Sequence, residues 1–232
     1  MSAGRTARER ARAEVAQEIK DEARRQLVTD GAQGLSLRAV ARSLGLASSA
    51  LYRYFPSRDD LLTALIIDAY DAMGAAAEHA DSELRKGRGN GSRDEAEPRD
   101  RWLAACRAVR AWAVTHQHEY ALIYGSPVPG YQAPKDTVAP AARVPLLLTA
   151  IATAGKIEDS GVGHGLRSQL SSVIAMNSID LPPGALARVM VAWTQLFGVI
   201  SFELFGQLVG SADPADDFFD FSASAMADFV GL

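Results

Sequence analysis

Residues 47–62 read ASSALYRYFPSRDDLL. Leu51 and Phe55 are apolar and four apart, so a helix through them turns both inward. Ser48, Ser49, Tyr52 and Arg53 follow at i, i+1, i+4 and i+5 and share the outward face. Pro56 stops that helix, and Ser57 is a good cap for the next one, which carries Leu61, Leu62, Leu65, Ile66 and Ala69. Working backwards, Ser36 caps a short helix through Leu44 with Leu37, Val40, Ala41 and Leu44 on its inner side. Gly45 supplies the turn between the two short helices. Before them, Val15, Ile19, Ala23 and Leu27 repeat every four residues, giving a first helix with one apolar face that Gly31 stops. Two short helices joined by a tight glycine turn form a helix-turn-helix.

In that motif the second short helix lies in a DNA major groove and its residues reach base edges. Each outward residue has a use there. The hydroxyls of Ser48 and Ser49 bond phosphates or bases, and Tyr52 bonds a phosphate and packs on a sugar or thymine methyl. Arg53 forks onto guanine O6 and N7. Arg58, Ser36 and Arg38 stand at helix starts, where phosphate is favoured. The plain alternative is that Tyr52, Arg53 and Tyr54 only cover a small core. A solvated face has no need of an aromatic, which favours DNA for Tyr52 and Arg53. For Tyr54 the two readings stay open.

Charge points the same way. The 232 residues carry a net charge of -4, but the total is uneven. Through position 60 there are 11 Lys/Arg against 8 Asp/Glu, leaving 13 against 20 in the remainder. A weakly basic head on an acidic body suits an anionic partner, although ordinary helix-surface charge produces the same count. At 48% hydrophobic residues the chain can bury a sizeable core. The single cysteine, Cys106, allows no intrachain disulfide. The charged N-terminus has no apolar run of the signal-peptide kind. The apolar stretch around 186–205 is broken by Arg188, Gln195 and Glu203 and falls short of a membrane span. The expectation is a cytoplasmic protein without membrane attachment.

Helical periodicity continues along the rest of the chain, and nothing alternates like a strand. Residues 87–98, GRGNGSRDEAEP, hold three glycines and no large apolar residue and read as a linker or loop. Helices are expected at about 99–117, 119–124, 138–154, 166–176, 184–209 and 214–230. The expected organisation is an N-terminal arm and three-helix helix-turn-helix domain over 1–58, a connecting helix over 59–86, the linker over 87–98, and a helical-bundle domain over 99–232. The fold class is all-α.

The stretch GLSLRAVARSLGLASSALYRYFPSRDDLL resembles the DNA-binding domain of the TetR (tetracycline repressor-like) family of bacterial regulators, over about residues 10 to 70. Matched position by position, the resemblance implies DNA contacts from Ser36, Arg38, Ser48, Ser49, Ala50, Tyr52, Arg53, Tyr54 and Arg58. Ala50 offers a methyl only, and Arg58 replaces the family's usual Lys with its charge kept. Arg5, Arg8, Arg10 and Arg12 look like an arm that reaches a minor groove or the backbone. Further on, RAVRAWAVTHQHEYALIYGSPVPGYQAP and AWTQLFGVISFELFGQL look like a TetR-type C-terminal domain with a Trp-His-Gly signature. Trp193 and Gly198 are present, but Phe197 stands where the signature His would be.

The resemblance implies a homodimer and a small-molecule effector site in the body. The pattern agrees, since Val189, Ala192, Trp193, Leu196, Val199, Ile200 and Phe202 go most of the way round their helix. A four-helix bundle with two helices from each subunit would bury them, although a monomer core would too. Candidate effector contacts are the aromatic, Met and polar residues of the body. They are Trp102, Cys106, Trp112, His116, Tyr120 and Tyr124, followed by Tyr131, Met176, Met190, Trp193 and Phe197. His116 and Tyr120, four apart, would supply polar contacts to a mostly apolar ligand. Each residue also reads as plain core filling.

His116 and His118 are two apart and point different ways on a helix, and one Cys makes no zinc site, so neither a metal nor a cofactor is expected. No G-x-S-x-G, Walker or dinucleotide-type loop appears. The sequence therefore predicts a ligand-responsive regulator, most simply a repressor, that binds a palindromic double-stranded DNA operator as a dimer. An effector-independent regulator or activator is the first alternative. A helical carrier or enzyme is the second.

Overall fold

The computed structural model describes residues 7–87 and 97–232. Ten α-helices and one short 3-10 turn are present there, and no strand occurs among the described residues. The helices are α1 (Ala7–Gly34), α2 (Leu37–Ser43), α3 (Ser48–Leu51), α4 (Arg58–Gly87), α5 (Pro98–Thr115) and α6 (Gln117–Tyr124). They continue with α7 (Val138–Ala154), α8 (His164–Asn177), α9 (Pro183–Leu204) and α10 (Asp216–Val230). The α7 range is the one its periodicity predicts. Most of the predicted 87–98 linker lies outside the described residues, and so does Arg5 of the expected arm. Arg8, Arg10 and Arg12 are not part of an extended arm: they belong to α1, which is helical from Ala7. Gly31 (φ 66°, ψ 176°) leaves the helical conformation, so the regular first helix stops there as expected, and a short further helical stretch follows the kink within the α1 range.

By contact the chain forms two compact units whose borders differ from the expected domains. One comprises the residues through Ala69 together with His116–Val138. The other comprises Tyr70–Thr115 and Ala139–Leu232. By contact, residues 116–138 group with the first unit. Ile19, Ala23 and Leu27 of α1, Val40 and Ala41 of α2, Leu51 of α3, and Leu61, Leu62 and Leu65 of α4 form one buried cluster. Leu122, Val128 and Tyr131 pack against that cluster. Charge reinforces the apolar contact. Arg24 on α1 bonds Glu119 of α6 at 2.8 Å and Asp68 of α4 at 2.6 Å. The Tyr131 hydroxyl lies 2.9 Å from that of Thr63.

In the second unit α10 packs on α9 and α5, and α8 on α9. Its core holds Met73, Trp102, Cys106, Val109, Leu148, Ile151, Val189, Leu196, Ile200, Phe219 and Met226. Arg101 and Asp81 form a buried two-pronged pair, with Nε to Oδ1 at 2.6 Å and Nη2 to Oδ2 at 3.1 Å. Arg143 of α7 lies against Gly74 of α4, where a Cβ would meet its side chain at 2.8 Å. That close approach lets Arg143 bond Glu78 and Asp71. By length and composition α9 is apolar enough to cross a membrane, contrary to the sequence expectation. Here it serves as a core helix: Val189, Ala192, Leu196, Val199 and Ile200 are buried.

Candidate nucleic-acid interface

The interface candidate is built on α2, the turn and α3. The Ser36 hydroxyl accepts from the Ala39 N–H at 3.4 Å and caps α2. Leu37, Val40 and Ala41 hold α2 to the core. Gly45 then adopts φ +67°, a left-handed conformation that costs a side-chain-bearing residue more. The Leu46 N–H closes the turn on the Ala41 carbonyl at 2.8 Å. Ala47 occupies the cap position of α3 without a side-chain cap bond, and Ser48 begins the helix. Regular helix ends at Leu51, yet the Tyr54 and Phe55 N–H groups still close on the Leu51 carbonyl, and helical turns extend almost to Pro56. The Ser57 hydroxyl and the Asp60 N–H and carboxylate then cap the start of α4 at 3.1 and 2.7 Å.

This arrangement sorts the predicted residues. Leu51 is fully buried, and Tyr54 and Phe55 are half-buried against the core cluster. Tyr52 is 41% exposed, and Arg38, Ser48, Ser49 and Arg53 are also exposed. Ala50 and Ser36 are half-buried. One solvent face therefore presents two hydroxyls, a phenol and a guanidinium from α3 and its following turn. Tyr54 has a packing role, which settles that half of its two readings. Arg58, expected at a phosphate, is also engaged within the chain. Its guanidinium donates to the carbonyls of Ala32 at 2.7 Å and Leu35 at 3.2 Å, where α1 runs out of intrahelical donors. Sequence reasoning missed a specific role for Arg12, whose Nη2 donates to the Arg53 carbonyl at 3.3 Å and whose guanidinium lies 5.7 Å from the Tyr54 ring centre. The signal was available: Arg12 stands three residues before Val15 and so continues the inner stripe of α1.

The candidate effector residues do not share one unit. His116, Tyr120, Tyr124 and Tyr131 fall in the first, and Trp102, Cys106, Trp112, Met176, Met190, Trp193 and Phe197 in the second. Tyr120 is fully buried with its ring 5.2 Å from that of Tyr124, whereas His116 at the start of α6 is exposed. Met176 and Met190 are 76% and 40% exposed and fill no interior. Trp102, Cys106, Trp112 and Phe197 are core residues. Burial pushes the Cys106 thiol up to about 12. Phe197, in the place of the signature His, meets Trp193 edge-on at 6.4 Å. The indole N–H groups of Trp102 and Trp193 are buried without a hydrogen-bond partner.

Comparison with known proteins agrees with this geometry. Residues 19–65 match the family model described as bacterial regulatory proteins, tetR family. Residues 102–226 match the one described as tetracyclin repressor-like, C-terminal domain. The chain is 38% identical over 208 residues to the HTH-type transcriptional regulators Mb1846 of Mycobacterium bovis and Rv1816 of Mycobacterium tuberculosis, covering 85% of this chain and 83% of each relative. Among solved structures, that of the regulatory protein SCO4313 superposes with a TM-score of 0.79 at 34% identity, covering 96% of this chain and all of that one. A Rhodococcus sp. RHA1 protein of unknown function shares the fold at 24% identity and a TM-score of 0.65, with 99% and 96% covered. These are families of regulators, not of enzymes. With an N-terminal helix-turn-helix and an all-helical C-terminal domain, the chain belongs to the TetR family of DNA-binding transcriptional regulators.

Proposed function

We propose that this protein is a cytoplasmic, ligand-responsive repressor that binds a palindromic operator as a homodimer through the exposed face of α2 and α3. The observation that carries the reading is the division within LYRYF. Leu51, Tyr54 and Phe55 hold the segment to the core while Tyr52 and Arg53 remain free for a groove. Arg53 reads a guanine, Tyr52 packs on the sugar or a methyl, and Ser48, Ser49 and Arg38 bond the backbone.

Dimerisation is supported by an apolar stripe that the second unit leaves uncovered. On α9, Met190, Val191 and Phe202 are exposed, and an added Cβ at Gly198 would meet open space. On α10 the exposed set is Phe218, Phe221 and Phe229. Exposed aromatic and aliphatic residues on two packed helices, α9 and α10, are more than isolated surface apolarity. Two copies packed through it form a four-helix bundle with two-fold symmetry. Recognition segments then meet half-sites about one helical turn, roughly 34–36 Å, apart. A mostly apolar effector that favours the dimer with its heads wrongly spaced releases the operator, by no more than its differential affinity for the two states.

The test is operator binding by the Arg53→Ala variant across single-base variants of the selected site. The expected loss is about 1–3 kcal/mol, confined to one base pair of each half-site. An equal loss on all sequences would make Arg53 a phosphate contact instead.

A further inference from the structure

The first turns of α1 run past the part of the helix that packs into the core. Val15 still packs on the cluster, and Arg12 lies one turn earlier on the same side. Its guanidinium joins two parts of the recognition segment at once, bonding the Arg53 carbonyl and lying over the Tyr54 ring. That carbonyl has no backbone donor within the segment. Pro56 brings no N–H, and the helical path ends there, before the Ser57 N–H could close back on Arg53. Arg12 supplies it, across 41 residues of chain. Tyr54 is the half-buried neighbour that anchors this turn, so Arg12 grips the anchored residue and the backbone of the exposed one together. A cation held over an aromatic ring at an exposed site biases a conformational equilibrium by about two- to fivefold.

We propose that Arg12 is a positioning residue for base selection. It sets the aim of the Arg53 side chain by fixing the Arg53 peptide, and is not itself a reader of DNA. The proposal rests on the reading of Arg53 as a base contact. It differs from an arm contact in its signature. A phosphate-binding arginine strengthens binding to every sequence and steepens the salt dependence. A positioning arginine changes the preference at the one base pair its client reads.

The experiment compares the full-length wild type, Arg12→Ala, Arg12→Lys, Arg53→Ala and the Arg12→Ala/Arg53→Ala double variant. Binding is measured to the selected operator and its single-base variants at several salt concentrations. Arg12→Ala is expected to lose at least about threefold of the preference at the base pair that Arg53→Ala relaxes, with other positions and the salt slope unchanged. The double variant is expected to lose no more there than Arg53→Ala alone, and Arg12→Lys, which keeps a donor and a cation, to recover part of the loss. Arg12 is exposed and its contacts are few, so its substitution should lower the unfolding midpoint only slightly. A uniform loss with a shallower salt slope, an unchanged preference, or additive losses in the double variant would each overturn the proposal while leaving DNA recognition intact. If Arg53→Ala relaxes no position, there is no aim to set and the proposal falls with it. Failure of the wild type to select any sequence would overturn the DNA reading itself.

Discussion

Phe219 and Phe221 stand two residues apart on α10 and should respond to the same substitution in opposite ways. Phe219 is 1% exposed and sits beneath the Arg110 guanidinium, whose charge lies 5.0 Å from its ring centre. Phe221 is 70% exposed. If the stripe on α9 and α10 is the dimer face, Phe221 is buried only on association. A phenylalanine has roughly 200 Å² to bury, so about 140 Å² of this one is at stake. At about 25 cal/mol per Å² that is about 3.5 kcal/mol for each copy, and two-fold symmetry counts it twice. Association entropy and imperfect burial keep the measured value below that ceiling. About two-fifths of that two-copy total, some 3 kcal/mol, would weaken the dimer by about two powers of ten. Phe221→Ser should therefore raise the dimer dissociation constant about a hundredfold in sedimentation equilibrium. Helix content should stay the same, and monomeric protein should unfold with a wild-type midpoint. Phe219→Ser should cost the fold about 3–5 kcal/mol, as large core truncations do. A Phe221→Ser protein that dimerises as tightly as the wild type would refute the assignment of this face. One that unfolds like Phe219→Ser would show that the face is already covered within the protomer.

Three further predictions concern the body. Asp81→Ala leaves the Arg101 guanidinium buried without its partner and should cost about 3–5 kcal/mol in urea unfolding, whereas replacing both residues by Leu should cost much less. If the single and double variants lose equally, the pair is not the source of the cost. The Arg143 hydrogen bond and charge hold the Glu78 carboxyl below its ordinary 4.5. Because this pKa is depressed on folding, the stability it contributes is present above 4.5 and is lost as pH falls through the folded value. Glu78→Gln should flatten the acid limb of the stability curve in that range, and an identical limb in both proteins would remove the bond from the account. With its thiol buried and pushed up to about 12, Cys106 should resist a disulfide reagent at pH 8 until the protein is denatured. Rapid labelling of the native protein would mean that this part of the core opens.

The helices were largely legible because their ends are written in local chemistry. Ser36 and Ser57 cap where they stand, Gly45 takes the positive φ its turn needs, and Pro56 ends the recognition segment. The outward face of α3 was legible too, since Leu51 and Phe55 fix which side turns inward. What could not be read was pairing between distant segments. Nothing near Glu119 announces that its partner is Arg24, 95 residues earlier, yet that pair and the packing of Leu122, Val128 and Tyr131 put residues 116–138 with the first unit. The intrachain bonds of Arg58 were hidden for the same reason, because its acceptors are carbonyls 23 and 26 residues away. The effector residues suffered from a different limit. Periodicity gives a helix its faces but does not say which face a neighbour covers, so Cys106 in the core and Met176 on the surface looked alike. Length and mean hydropathy alone do not separate α9 from a membrane span; Arg188, Gln195 and Glu203 within it, and its buried core residues, do.

The central claim is that the face carrying Tyr52 and Arg53 reads DNA sequence in a two-fold symmetric assembly. Selection of bound fragments from a random DNA pool by the purified protein at near-physiological salt, followed by sequencing, tests it most directly. The account predicts an enriched palindrome with half-sites about one helical turn apart, bound more weakly as salt rises. Equal recovery of all sequences by a dimeric, ligand-free sample would contradict it.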